Sequence, residues 1–346
     1  MKVGLLLGYS GKKLAPPMEL ILQAEKLGYD SVWIAEAYGS DAVTVAAWVL
    51  GQTSTLKVGT AIMQVPARTP ANTAMTAMSM SQLSAGRFIL GLGASGPQVV
   101  EGWHGVGYDK PLTRLRECIE IVRDIFKREE AVAYDGEIYQ LPFRGAGSVG
   151  LGKPLKSILH EEKDTPIYTA SFTPAGFRLA GEVADGLFPV FMSPDKIDLI
   201  TDEVAKGFEL ANGQKSFDNF DIAPFVTVLM GDDIEVCRAP IKQFLALYIG
   251  GMGSKTKNFY KDFATKMGYA EAATKIQKCY LSGDKEGAFA AVPNELVDEI
   301  SILGDSDQIQ QRAESWLEKS DYIKTMICTV TQPEVLPLLK EVLSAK

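Results

Sequence analysis

Short apolar runs alternate with segments of helical length through the first hundred residues of the chain. Val3–Leu7 is apolar and ends at Gly8. Pro17–Leu27 then carries Leu20, Ile21, Ala24 and Leu27 at helical spacing, with Gly28 just beyond as a C-cap. Ser31–Ala35 reads as the next strand, Asp41–Thr53 as a helix and Lys57–Met63 as a third strand. Asn72–Leu83 is a Met- and Ala-rich helix, and Arg87–Gly91 is a fourth strand. Strands separated by one helix each pair in parallel, through right-handed crossovers.

The alternation loosens after that point but does not stop. Pro111–Arg128 is amphipathic, with Leu115, Ile119, Val122, Ile125 and Phe126 apolar. Ala131–Leu141 reads as a small hairpin about Asp135-Gly136, and the glycine-rich span Arg144–Gly152 as an exposed excursion. Pro166–Thr169, Gly186–Pro189, Phe225–Leu229 and Lys324–Val330 fit strands five to eight. Phe177–Val183 reads as a helix, Glu235 to about Ile300 as mainly helical, and Pro333–Leu343 as the closing helix. Eight strands, each followed by helix, match a (β/α)8 TIM barrel better than an open sheet, and 346 residues suit one such domain over 1–346. The longer excursions, after strands four and seven, are expected at the C-terminal face, where barrel active sites sit.

A net charge of −8 argues against a general nucleic-acid binder, which shows a basic face. Cys118, Cys237, Cys279 and Cys328 are far apart and form no C-x-x-C pair, so reduced cytosolic thiols are expected and no metal site. The N-terminal apolar run is too short to span a membrane and lacks a cleavage region, which makes it a buried first strand of a cytoplasmic protein.

The stretch Gly86–Pro97, GRFILGLGASGP, holds Gly91, Gly93 and Gly96 in the pattern G-x-G-x-x-G. In a dinucleotide-binding unit that pattern opens a helix within the first strand-helix-strand unit, with an acidic residue about twenty residues on at the end of the next strand. Here it follows the fourth strand, Pro97 comes straight after Gly96, and Asp109 lies in a loop before Pro111. A nicotinamide cofactor is therefore a poor fit.

The segments VWIAEAYGSDA (32–42), LKVGTAIMQVPARTPANTAM (56–75), LSAGRFILGLGASGPQVVEGWHG (83–105) and PLTRLRECIEIVRDIF (111–126) together carry a resemblance. VADGLFPVFMSP (183–194), YIGGMGSKTKNFY (248–260) and AVPNELVDEI (291–300) extend it over nearly the whole chain. In order and spacing they resemble the luciferase-like monooxygenase superfamily, and within it the coenzyme F420-dependent oxidoreductases, which include methylenetetrahydromethanopterin reductase. The resemblance implies a deazaflavin at the C-terminal mouth of the barrel, whose central carbon gives or takes a hydride. It also implies a small-molecule substrate and a homodimer.

Each site residue takes its expected role from that resemblance. Glu36, at the end of strand two, is the catalytic candidate, either as a proton donor or as a hydrogen-bonded scaffold carboxylate. Some relatives have a histidine just after this acid, where the chain has Ala37. His104, one of only two histidines, is the other candidate for a histidine-driven proton transfer or else is structural in the GWHG turn. It is placed with Tyr9, Tyr38 and Trp103 around the substrate, with Ser10 nearby. Ala61, Ile62, Met63 and Gln64 are expected to back the ring, with a cis peptide at Ala61–Ile62 and the Gln64 amide at the ring edge. Arg68 either neutralises an anion or caps its loop. Gly91, Gly93 and Gly96 are expected to let strand four turn into a loop beside the ribityl chain, with Gly93, Ala94, Ser95 and Gly96 at the cofactor. Ala170, Ser171, Phe172, Thr173 and Ser193 are expected at the phosphodiester, with Lys196 beside them, where a helix N-terminus suits an anion. The simpler role for Thr173, before Pro174, is an N-cap. Lys255 and Lys257 suit either an oligoglutamate tail or a solvated turn.

Three functions compete: an F420-dependent oxidoreductase, an FMN-dependent luciferase-like monooxygenase, and a non-catalytic ligand-binding barrel. The presence of Glu36 and of the glycine loop disfavours the third.

Overall fold

The computed structural model describes residues 1–161, 163–211, 213–253 and 255–344. Eight parallel strands follow one another around a curled sheet. They are β1 (Lys2–Leu7), β2 (Ser31–Ile34), β3 (Lys57–Thr60), β4 (Phe88–Gly93), β5 (Ile167–Ser171), β6 (Gly186–Pro189), β7 (Phe225–Met230) and β8 (Thr325–Thr329). β8 pairs with β1, Lys2 opposite Thr325, and this closes the ring. Between β6 and β7 the ladder passes through the short strand Asp221–Ile222 and then through Ala223 and Pro224. Pro224 has no N–H to give, but its carbonyl accepts from Ile327 of β8. The architecture is the (β/α)8 barrel that the alternation implies.

The barrel interior is plugged. Trp33, Ile89, Tyr168, Phe188, Ala223 and Ile327 pack there as a separate cluster. Trp33 fits because its neighbour on β3 is Gly59, where a Cβ would stand 2.2 Å from the indole ring. Its Nε1 donates to Ser31 Oγ at 2.9 Å. A second, larger core lies between the strands and the surrounding helices. With the interior filled, ligand space is left at the strand ends, as in other barrels.

Three features differ from the expectations. β4 runs on to Gly93 rather than ending at Gly91. A fully buried parallel strand, Ser301–Gly304, pairs with β7 at the end of the helical stretch. The excursion after β4 does not stay at the C-terminal face. Its hairpin, Tyr134–Asp135 against Gln140–Leu141, hangs on the buried Glu117 carboxylate midway along helix Pro111–Lys127. Further on, His160 O accepts from Gln82 and Lys163 Nζ donates to Ala85 O, both in the segment that leads into the start of β4. The chain has descended the barrel's flank, because it must re-enter the sheet at the N-terminal end of β5.

Candidate active site

The ends of β2, β3 and β4 are joined by polar contacts rather than by a plain ladder. After Thr60 the Ala61–Ile62 peptide is cis, where the resemblance places one. Met63–Gln64 then pairs with Leu92 and Gly93 of β4. Across the bulge, Thr60 Oγ1 donates to Gly91 O at 2.8 Å and accepts from Gly91 N at 2.9 Å. The hydroxyl thus satisfies both backbone groups of Gly91 where the strand pairing is broken.

The glycine pattern therefore has a different cause from the one expected. A Cβ at Gly91 would stand 1.8 Å from Thr60 O, and one at Gly93 would stand 2.8 Å from Ile62 Cγ1. Both glycines are needed where β4 presses on the bulge. Neither lies in a loop, since both are buried within the strand. Only Ala94, Ser95 and Gly96 belong to the loop. Ser95 is left-handed at φ 59°, and Gly96 is the N-cap of helix Pro97–Gly102.

Glu36 sits at the centre of the next contacts. Its Oε1 accepts from Ala42 N at 3.1 Å and Arg68 Nη2 at 2.8 Å. Its Oε2 accepts from Gln64 N and Arg68 Nη1, both at 2.9 Å. Arg68 also pairs with Asp41, the N-cap of helix Ala42–Leu50. Burial opposes the charge on Asp41, but hydrogen bonds from Thr44 and the nearby Arg68 outweigh it and hold the carboxyl below its usual range. The expected proton-donor role of Glu36 meets a carboxylate whose oxygens each accept two hydrogen bonds, which matches the scaffold alternative. Arg68 neutralises a protein carboxylate and ties down its loop.

Gln64 is also engaged within the protein. Its Nε2 donates to Ala37 O at 2.7 Å, and its Oε1 lies 2.8 Å from His104 Nε2. The side chain is buried, so the open ring-facing amide expected from sequence is not what the structure holds. Beside this contact the rings of Tyr38 and Trp103 meet at 6.5 Å, both largely exposed.

The other side of the mouth is aromatic. Phe172, just past β5, stacks on Tyr260 at 4.7 Å, and Phe191, past β6, meets Tyr260, Tyr248 and Phe244. Burial raises the Tyr248 phenol, with Tyr9, Tyr260 and Tyr38 near enough to add to the effect. The rings past β1, β2, β5 and β6 therefore converge on the helices that follow β7. Phe244, Tyr248 and Tyr260 were absent from the sequence-based set. Their one signal was the spacing of Phe244 and Tyr248 by four on helix Ile234–Gly251, which a core face produces equally well.

Past β5, Thr173 Oγ1 accepts from Gly176 N at 3.1 Å and caps helix Pro174–Val183. Ser171 is buried beside it. Ser193 Oγ is buried with no hydrogen-bond partner among the described residues. Lys196 does not serve this region, because its Nζ pairs with both Glu299 oxygens at 2.6 and 2.7 Å. Tyr269 also donates to Glu299. Lys257 lies over the Phe259 ring at 5.0 Å, and Lys255 is exposed. Backbone N–H groups and hydroxyls are thus what this end of the barrel offers an anion.

Residues 1–320 match the luciferase-like monooxygenase family. A putative coenzyme F420-dependent oxidoreductase of Mycobacterium tuberculosis is 43% identical over 320 residues, covering 91% of this chain and 92% of that one. The 5,10-methylenetetrahydromethanopterin reductase of Archaeoglobus fulgidus is 29% identical over 84% of this chain and 82% of its own. Among solved structures, the F420-dependent tetrahydromethanopterin reductase from Methanopyrus kandleri superposes with a TM-score of 0.76 at 20% identity, covering 99% and 98% of the two chains. An F420-dependent secondary alcohol dehydrogenase with an F420-acetone adduct gives 0.75 at 17% identity, again covering 99% and 98%. These last two establish the shared fold, and the match over residues 1–320 adds the lineage: the chain belongs to the luciferase-like monooxygenase family.

Proposed function

We propose that the chain is a coenzyme F420-dependent oxidoreductase acting on a small organic substrate. The observation that carries the reading is the likeness to the mycobacterial relative along more than nine-tenths of both chains. The residues present fit the cofactor. Ser193 has a buried hydroxyl free to bond an anion, beside the barrel end that also holds Ser171 and the capped helix N-terminus at Thr173. When bound, the deazaflavin supplies a carbon that gives or takes a hydride.

The chain's own residues do the remaining work. Ser171, Thr173 and Ser193 hold the phosphodiester, and Ala94, Ser95 and Gly96 border the ribityl chain. Ala61, Ile62 and Met63 form the back of the ring site. Glu36 positions rather than reacts, because it fixes Arg68, Gln64 and the start of helix Ala42–Leu50 in one unit. Tyr9, Tyr38, Trp103, Phe172, Tyr248 and Tyr260 exclude water and wall the substrate space.

Titration with F420 and with FMN tests this. The expected result is quenching of F420 fluorescence with a low-micromolar Kd and no comparable FMN binding. Tighter FMN binding overturns the reading in favour of a flavin monooxygenase, and binding of neither favours a non-catalytic barrel. Two further expectations belong here. Trp48 and Met75 are exposed on consecutive helices, which suits a homodimer, and light scattering decides it. Among the described residues no helix is long and apolar enough to cross a membrane, which is compatible with a cytoplasmic site.

A further inference from the structure

We propose that His104 exchanges the proton that accompanies hydride transfer, at Nδ1, and that Gln64 sets which ring nitrogen does so. The substrate class this role suits is an alcohol–carbonyl pair. The inference rests on the oxidoreductase reading above.

Ala37 O can only accept, so the group of Gln64 that faces it at 2.7 Å is the amide NH2. Turning the amide over would set two carbonyl oxygens against each other. Gln64 Oε1 is therefore the atom 2.8 Å from His104 Nε2, and an amide oxygen can only accept. Nε2 must carry a hydrogen in the neutral and the cationic ring alike. The nitrogen that gains and loses a proton is then Nδ1. Gln64 cannot easily rotate away, because its side chain is buried and its own N–H is held by Glu36 at 2.9 Å. Glu36 in turn is gripped by Arg68.

The ring's place in the fold supports a chemical role. His104 follows helix Pro97–Gly102, with its N–H bonded to Val99 O, so its backbone is fixed as well as its Nε2. It is half-buried, and Gln64 is the only hydrogen-bond partner of its ring among the described residues. It lies between the end of β3 and the Tyr38–Trp103 pair. The other histidine, His160, is exposed and held to Gln82 near the opposite end of the barrel. His104 is thus the one imidazole at the site, and imidazole is the side chain whose ordinary range lets it exchange a proton near neutrality.

Hydride transfer to a cationic iminium needs no proton, whereas transfer to a carbonyl does. In the oxidative direction the substrate C–H bond gives its hydride, with two electrons, to the deazaflavin. The hydroxyl proton passes to the Nδ1 lone pair as the C=O bond forms. In the reductive direction the imidazolium returns that proton to the nascent alkoxide. Atoms and charge balance with the deazaflavin as the only co-reactant.

Two histidines make the test spectroscopically clean. In ¹⁵N-labelled protein without cofactor, His104 is expected to show the Nε2–H tautomer, and Gln64→Leu is expected to abolish that preference while His160 stays unchanged. With F420 and a panel of secondary alcohols, ketones and aldehydes, wild type is expected to turn over. His104→Gln keeps a donor for Gln64 Oε1 but cannot exchange a proton. It is expected to lose about 10²–10⁴-fold in kcat with F420 affinity within about twofold. An Nδ1–H tautomer in wild type, or undiminished turnover in His104→Gln, overturns the role of His104. Tight F420 binding with no reaction across the panel overturns the substrate class. Failure of wild type to bind F420 is a different result and removes the oxidoreductase reading itself.

Discussion

A methyl group at position 91 would stand 1.8 Å from the Thr60 carbonyl oxygen, while one at 96 meets only the end of Gln98 at 3.4 Å. The three glycines of G-x-G-x-x-G are therefore unequal. Gly91→Ala is expected to cost about 3 kcal/mol or more, because the obstacle is backbone and cannot swing aside. Gly96→Ala is expected to cost under about 0.5 kcal/mol. Urea denaturation of both variants measures the difference, and equal costs would return the motif to a loop role. Sequence showed where close approach occurs but not to what, since Thr60 and Gly91 are 31 positions apart. Lys215 offers a second test at a single residue. Burial lowers its ammonium to about 8, helped by repulsion from Arg123 and despite the nearby carboxylates of Asp185 and Glu182. The folded state then releases this proton first. Between about pH 8 and the ordinary value of 10.5 the unfolded chain binds more protons, so this group makes stability rise with pH. Relative to Lys215→Met, wild type is expected to gain stability across that window and to gain nothing below it. Paired melts from pH 7 to about pH 10.5 measure this.

The elements were more legible than the contacts between them. All eight barrel strands follow from apolar runs and their spacing, because a strand buried on both faces must be apolar throughout. Ser301–Gly304 escaped, since four residues after a long helical stretch leave no period to read. The Glu36–Arg68–Gln64–His104 connection was only half legible. The candidate residues stood out, but their mutual partners depend on how three strand ends curl together. That connection carries a prediction of its own. Glu36 and Arg68 are 8% and 16% exposed, so Arg68→Ala strands a mostly buried carboxylate. The expected cost is about 3–5 kcal/mol. Adding Glu36→Gln to Arg68→Ala is expected to recover part of that loss, since the stranded charge is gone. A double variant whose cost is the sum of the two singles would show that the pair does not act as a unit.

At the scale of the whole molecule, closure of β8 on β1 places the first and last strands in one ladder. Neither half of the chain then has a complete sheet without the other. The site inherits this property, because it draws Tyr9 from the loop past β1, Glu36 and Gln64 from the ends of β2 and β3, Ser171 from β5 and Tyr248 from the helices after β7. The single-domain organisation expected for 1–346 thus predicts one calorimetric transition, and two resolved transitions would contradict it. A cofactor gripped by so many strand ends binds only the closed barrel, so F420 is expected to move that transition as a whole. At a free concentration about 100 times Kd the linkage is about 2.7 kcal/mol. For a chain of 346 residues that corresponds to an upward shift of about 4 °C. FMN at the same concentration is expected to leave the transition in place. A shift with FMN but not with F420 would assign the mouth to a flavin. A broadened or split transition with F420 would mean that the cofactor grips only part of the ring.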